Sequence, residues 1–109
     1  MKEPLKDVAF KGLLSFLILH ELKTKQLCGE DLAKRIGKRK GATLTPGTIY
    51  PTLKDLRRRK YLSYTKKGRK KIYRLRPEGE AQLEHMYDQF AQYFWGLKHI
   101  ISKKRLKKE

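Results

Sequence analysis

Thr43-Leu44-Thr45-Pro46-Gly47-Thr48-Ile49-Tyr50-Pro51-Thr52-Leu53-Lys54-Asp55-Leu56 is the stretch on which the fold turns. Ile49, Leu53 and Leu56 recur at the spacing of one helix face. Pro46, Gly47 and Pro51 speak against a helix, and their positions resolve the conflict. Thr45 reads as an N-cap and Pro46 as the first helical residue, where a missing N–H costs nothing. Pro51 leaves the Gly47 carbonyl without its partner and crowds it. Glycine eases that adjustment, and an exposed carbonyl can bond water. The stretch therefore predicts a helix from Pro46 to about Lys60. At about 100° per residue, with Ile49, Leu53 and Leu56 inward, Gly47, Pro51, Lys54 and Arg58 fall on the opposite side. Tyr50 and Arg57 flank that outer strip.

Charge says what the strip faces. The 109 residues carry 28 Lys and Arg against 11 Asp and Glu, a formal net charge of +17. Between Lys34 and Arg76 lie 17 of the basic side chains and a single acid, Asp55. A solubilising surface mixes signs, whereas a block this one-sided is the electrostatic footprint of a nucleic-acid binder. One cysteine, Cys28, cannot close an intramolecular disulfide, which suggests a reducing, cytoplasmic setting. The longest apolar run, Leu13 to Leu19, is far short of the ~20 residues of a membrane span, and no signal peptide is legible.

Working outward, Val8 to about Lys23 predicts a first helix, apolar nearly all round and so buried on more than one side. Lys23 to Gly29 reads as a turn. Asp31 to about Lys38 reads as a short second helix with Leu32, Ala33 and Ile36 inward, followed by a basic connection between Gly37 and Gly41. After the third helix the period changes. Leu62 and Tyr64, then Tyr73 and Leu75, alternate with polar residues as half-buried strands do. Lys66, Lys67, Arg69, Lys70 and Lys71 crowd the turn between them. Pro77 opens a long last helix to about Lys104, with a frayed tail from Lys103. Leu83, Tyr87, Phe90, Phe94, Leu97 and Ile101 follow the alternating spacing of a coiled-coil seam.

Three helices, a basic hairpin and a long helix make a mainly α (α+β) winged helix-turn-helix with a long C-terminal dimerisation helix. Residues 1–76 form the DNA-binding part and 77–109 the dimerisation helix and basic tail, as one structural unit. In this architecture the third helix enters the major groove and the wing follows the neighbouring backbone or minor groove.

The sequence resembles the PadR-like family of transcriptional regulators. Leu27-Cys28-Gly29-Glu30-Asp31-Leu32-Ala33-Lys34-Arg35-Ile36 resembles the entry to its second helix. Thr45-Pro46-Gly47-Thr48-Ile49-Tyr50-Pro51-Thr52-Leu53 resembles its recognition-helix signature, the most specific of the three matches. Lys71-Ile72-Tyr73-Arg74-Leu75-Arg76-Pro77-Glu78-Gly79 resembles the junction after the wing. The resemblance implies a homodimeric DNA-binding repressor whose first and last helices make the dimer. It also admits a small flat aromatic effector against Phe90, with Phe94 beside it, although aromatics at helical spacing read equally as core. Three places depart from the family. Cys28 and Glu30 stand where an aromatic pair flanks the glycine. Arg57-Arg58-Arg59-Lys60 stand where acids and a glycine end the third helix. Arg76 stands where a threonine caps the last helix. The last two departures exchange stabilising features for positive charge, which implies stronger and less selective DNA electrostatics.

The DNA-contact candidates are therefore Thr45, Gly47, Thr48, Tyr50, Pro51, Lys54, Arg57 and Arg58 on the helix and Lys66, Lys67, Arg69, Lys70 and Lys71 on the wing. The dimer candidates are Leu13, Leu17, Leu83, Tyr87, Phe90, Phe94, Leu97 and Ile101. No catalytic or metal site is legible. His20, His85 and His99 lie on separate elements, no ligand spacing involves Cys28, and no cofactor is implied. The expected partners are double-stranded DNA and a second copy of the chain. Two readings compete with a promoter-specific regulator: a weakly specific chromatin-type protein, and a winged-helix module for RNA or protein.

Overall fold

The computed structural model describes residues 5–40 and 44–108, with the side chains of residues 5–11, 39, 40, 46, 99 and 101–108 outside that description. The elements are α1 (Leu5–Glu21), β1 (Leu27–Cys28), α2 (Gly29–Lys40), α3 (Pro46–Arg58), β2 (Leu62–Lys67), β3 (Lys70–Leu75) and α4 (Pro77–Lys108). The architecture is the winged helix anticipated from sequence, mainly helical with a small antiparallel sheet.

α1 carries apolar side chains around most of its surface because it is the hub. Leu14, Ile18 and Leu19, with Leu22 just past its end, enter the core, while Leu13, Phe16 and Leu17 remain half-buried along its other side. Leu32, Ala33 and Ile36 of α2 and Ile49, Leu53 and Leu56 of α3 meet that hub. Leu62 of β2, Tyr73 of β3 and Leu83 of α4 close the same cluster. Each fully buried Leu or Ile contributes roughly 2–3 kcal/mol. Glu21 is buried at the end of α1, and Arg35 of α2 donates from Nε to its Oε1 at 2.9 Å. No helix among the described residues is long and apolar enough to cross a membrane.

Several boundaries differ from the sequence reading. Leu27 and Cys28, expected in a turn, form β1, paired antiparallel with Tyr73 and Ile72. The sheet order is thus β1-β3-β2. The pairing is long-range and two residues long, so no local period announces it. α2 begins at Gly29 and runs on through Gly37 to Lys40. Lys38, Arg39 and Lys40 therefore lie on a helix rather than in a connection. α4 continues past the expected frayed tail to Lys108.

α3 ends as its sequence forewarned. Lys60 takes a left-handed φ of 68°. The Lys60 N–H donates to the Arg57 carbonyl at 2.9 Å and the Tyr61 N–H to the Leu56 carbonyl at 3.0 Å. These two bonds are the Schellman pattern, which ordinarily employs glycine. The chain then turns so sharply that α4 starts against it. The Arg76 N–H donates to the Tyr61 carbonyl at 2.9 Å. A Cβ on Gly79 would lie 2.2 Å from the same oxygen, so only glycine fits there. α4 lacks the threonine cap, but Glu78 supplies a substitute. Its carboxyl accepts its own backbone N–H, which, with the nearby Arg76, lowers its pKa below the usual value.

Lys60→Gly relieves the left-handed strain at the end of α3. We expect thermal unfolding to show a gain of about 0.5–1 kcal/mol. No gain would mean that the strain is offset by interactions of the Lys60 stem.

Candidate nucleic-acid interface

The buried stripe of α3 sets the rotation of the helix. Ile49 and Leu53 are 0% exposed and Leu56 is 3% exposed. Gly47, Pro51, Lys54 and Arg58 consequently face outward, as the projection required, and Thr48 is exposed beside them. The helix is continuous through Pro51. A Cβ on Gly47 would meet nothing nearer than Thr45 Oγ1 at 3.9 Å, so this end of the strip is open to a close approach. Pro51, Lys54, Asp55, Arg57 and Arg58 line a shallow surface groove.

Thr45 occupies the N-cap position with extended backbone, but its side chain makes no capping bond to the helix. The Thr48 N–H is taken instead by the Thr45 carbonyl at 3.1 Å. The Thr45 hydroxyl lies 3.1 Å from that of Thr48. With Pro46 contributing no donor, the expected cap is replaced by a backbone turn and a hydroxyl pair.

The basic residues at the end of α3 take separate directions. Arg57 lies over the Tyr64 ring at 4.9 Å from its centroid, and Lys71 lies over the same ring at 4.9 Å. Tyr64 thus joins α3 to the wing through two cation–π interactions. Arg57, expected beside the outer strip, is turned toward the wing. Arg58 and Arg59 both donate to Asp55, at 2.5 Å and 3.0 Å. The bond from Arg59, reinforced by that from Arg58, holds the Asp55 carboxyl below the ordinary carboxylate value. Arg59, Asp55 and Tyr64 were not among the DNA-contact candidates read from sequence. The Asp55 pairs were legible as i,i+3 and i,i+4 spacings; the Tyr64 bridge was not, since it joins separate elements.

The wing is a hairpin whose two-residue loop, Gly68-Arg69, has a positive φ of 63° at the glycine alone. A glycine first in a two-residue loop suits the primed turn that matches strand twist. The register sets Lys66 opposite Lys71 and Lys67 opposite Lys70. Like charges directly opposite destabilise a ladder. These four lysines and Arg69 are exposed, and none has an acidic partner among the described residues. The hairpin carries an electrostatic cost that an external anion would remove.

A cleft of about 320 Å³ joins the parts. Its walls include Cys28, Gly29 and Glu30 at the start of α2, Tyr50 of α3, and Arg69, Lys70, Lys71 and Tyr73 of the wing. Tyr50 is 46% exposed, and a Cβ on Gly29 would lie 2.6 Å from its ring. Glycine at 29 therefore lets the Tyr50 ring approach the start of α2 closely. Burial raises the pKa of the Tyr73 phenol above its ordinary value.

α4 divides the expected dimer seam in two. Leu83 is 0% exposed inside its own protomer and has no surface to offer a partner. The Tyr87 hydroxyl is 2.7 Å from His20 Nδ1, and Phe90 meets the Phe16 ring edge-on at 4.7 Å. These three positions pack on α1, so the first half of the stripe is largely intramolecular. Beyond it Phe94 and Leu97 are exposed, as are Tyr93 and Ile100. The Ile101 side chain lies outside the described residues. Leu13 and Leu17 are half-buried on α1.

The model of the transcriptional regulator PadR-like family matches residues 18–85, from within α1 to the first turns of α4. The chain belongs to the PadR-like family of transcriptional regulators. Members of that family are regulators rather than enzymes. Over 77 residues the chain is 38% identical to the transcriptional activator GvpE1 of Halobacterium salinarum, a match covering 69% of this chain and 40% of that protein. The match therefore spans less than half the length of this curated relative. A PadR-like transcriptional regulator from Bacillus cereus superposes with a TM-score of 0.76 at 25% identity, covering 84% of this chain and 93% of that one. A PadR family regulator from Clostridium difficile shares the fold, with a TM-score of 0.66 at 23% identity over 81% of this chain and 97% of that one.

Replacing Lys66, Lys67, Arg69, Lys70 and Lys71 with Ala tests the wing. We expect a higher melting temperature, because opposed like charges are removed. We also expect a duplex-binding salt slope flatter by ~0.9 for each phosphate that the wing no longer neutralises. A melting temperature that falls would contradict the electrostatic cost, and an unchanged slope would show that the lysines serve only solubility.

Proposed function

We propose that the chain binds double-stranded DNA as a homodimer and regulates transcription from the sites it occupies. The observation that carries this reading is the shared placement of two acid-poor surfaces. The outer strip of α3 and the like-charged wing are tied together by Arg57, Tyr64 and Lys71. In this reading α3 lies in the major groove. Lys54 and Arg58 offer donors to guanine edges or phosphates, Thr45, Thr48 and Tyr50 reach the backbone, and Gly47 and Pro51 allow close approach to a groove wall. The wing neutralises phosphates beside it.

The exposed second half of α4 supports the dimer. Tyr93, Phe94, Leu97 and Ile100 are large apolar side chains in water, and a second copy would cover them while α1 lends Leu13 and Leu17. The Phe90 and Phe94 rings, 5.9 Å apart, are the place where a flat aromatic effector would bind between protomers. Two recognition helices related by a dyad would reach successive major grooves, about 10 bp apart.

The sign of regulation follows from operator position. A dimer over the polymerase site represses, as the family resemblance suggests, while one placed beside it can recruit, as expected of an activator. Mapping bound sites across the genome against transcription starts decides which applies. Competition between a mapped site and random duplex at fixed salt separates a promoter-specific regulator from a chromatin-type binder. A ratio near one would remove the regulator reading, and tighter binding to structured RNA would favour the RNA-module alternative.

Phe94→Asp with Leu97→Asp is expected to give folded monomers in sedimentation and a footprint reduced to one half-site. A dimer surviving both substitutions would contradict the proposed interface.

A further inference from the structure

Asp55 is the one acid between Lys34 and Arg76, and it lies on the helix proposed to read DNA. Its carboxylate is shared between two guanidiniums. Arg58 Nη2 donates to Oδ1 at 2.5 Å, and Arg59 Nε donates to Oδ2 at 3.0 Å. Both arginine side chains remain open to solvent, at 76% and 58% exposure. Exposed pairs of this kind add little to stability. A carboxylate on a DNA-facing helix also repels phosphate, so Asp55 weakens generic attraction to any duplex. Stability and bulk electrostatics alike leave its presence unexplained. What the carboxylate does accomplish is geometric: it fixes two flexible cations against α3.

We propose that Asp55 is a specificity-determining residue, holding Arg58 at the edge of the outer strip and withholding Arg58 and Arg59 from indiscriminate phosphate binding. The inference rests on the DNA-binding reading above. A guanidinium has five N–H donors, and Asp55 engages one Nη of Arg58, leaving the others for a base edge or a particular phosphate. An untethered arginine finds a phosphate on any sequence, because phosphates are everywhere along a duplex and carry no sequence information. Arg57 is already committed to Tyr64. The tether on Arg58 and Arg59 therefore restrains the remaining guanidiniums in the run Arg57-Arg58-Arg59.

The test compares wild-type protein with Asp55→Asn, which keeps shape and removes charge, and with Asp55→Glu, which keeps charge. Binding to a duplex selected in vitro and to random duplex is measured over a salt series, with thermal melting as a check on folding. For Asp55→Asn we expect tighter binding to random duplex, a salt slope steeper by ~0.9 to ~1.8 as one or two further phosphates are neutralised, and a lower ratio of selected to random affinity. Asp55→Glu is expected to stay near wild type. Adding Arg58→Gln and Arg59→Gln to Asp55→Asn is expected to abolish the increment. An Asp55→Asn slope and ratio equal to wild type would overturn the inference alone. So would an increment that persists without both arginines, because it would then reflect bulk charge. Wild-type protein that binds neither duplex would overturn the DNA-binding reading itself.

Discussion

Everything on the outer surface of this protein depends on how three side chains of α3 are seated. Ile49, Leu53 and Leu56 are withdrawn from water into a cluster built on α1. A helix with one stripe buried has no rotational freedom left. The direction of Gly47, Pro51 and Lys54 follows from that burial, and Arg58 is held in addition by Asp55. Replacing Leu53 with a small residue would cost roughly 2–5 kcal/mol, and the outer strip would lose its orientation before it lost any of its charge.

A second constraint is electrostatic. The chain concentrates almost all of its excess charge in the middle of the sequence, distributed over α2, α3 and the wing. Opposed lysines in the hairpin, a lysine in a left-handed turn at Lys60, and an arginine at the cap position before Pro77 each give up some stability. The fold offsets these locally where it can. Glu78 serves the start of α4, Asp55 restrains two arginines, and Tyr64 receives Arg57 and Lys71. Of the opposed lysines of the wing, Lys66, Lys67 and Lys70 have no such relief within the described residues. The surface is most stable when something anionic lies against it, which is how a marginally stable small domain can couple binding to order.

How much of this was legible depended on the range of the interaction. The buried and exposed faces of α3 were readable because a helix period is local. The left-handed turn at Lys60 was readable from a cation standing where the family places glycine. β1 was not, since two residues pair with a strand more than forty positions away. The direction of Arg57 was not either, because it is set by a ring on another element. The stripe on α4 shows a subtler limit. Regular spacing from Leu83 to Ile101 announces an apolar face but carries no information about which chain covers it. Leu83, Tyr87 and Phe90 turned out to face α1 of the same chain, and only the stretch from Tyr93 onward is left for another. The pairing of Asp55 with Arg58 and Arg59 was within reach of sequence and needed only the helical spacing rule.

The central claim is that the outer strip of α3 and the wing form one DNA-facing surface. Amide shift mapping by nuclear magnetic resonance, on addition of duplex DNA to the isotopically labelled protein, tests it most directly. The account predicts that the largest perturbations fall together on residues 47–58 and 64–71 and titrate with a single affinity. Perturbations centred on residues 84–97 of α4, or separate titrations for α3 and the wing, would contradict it.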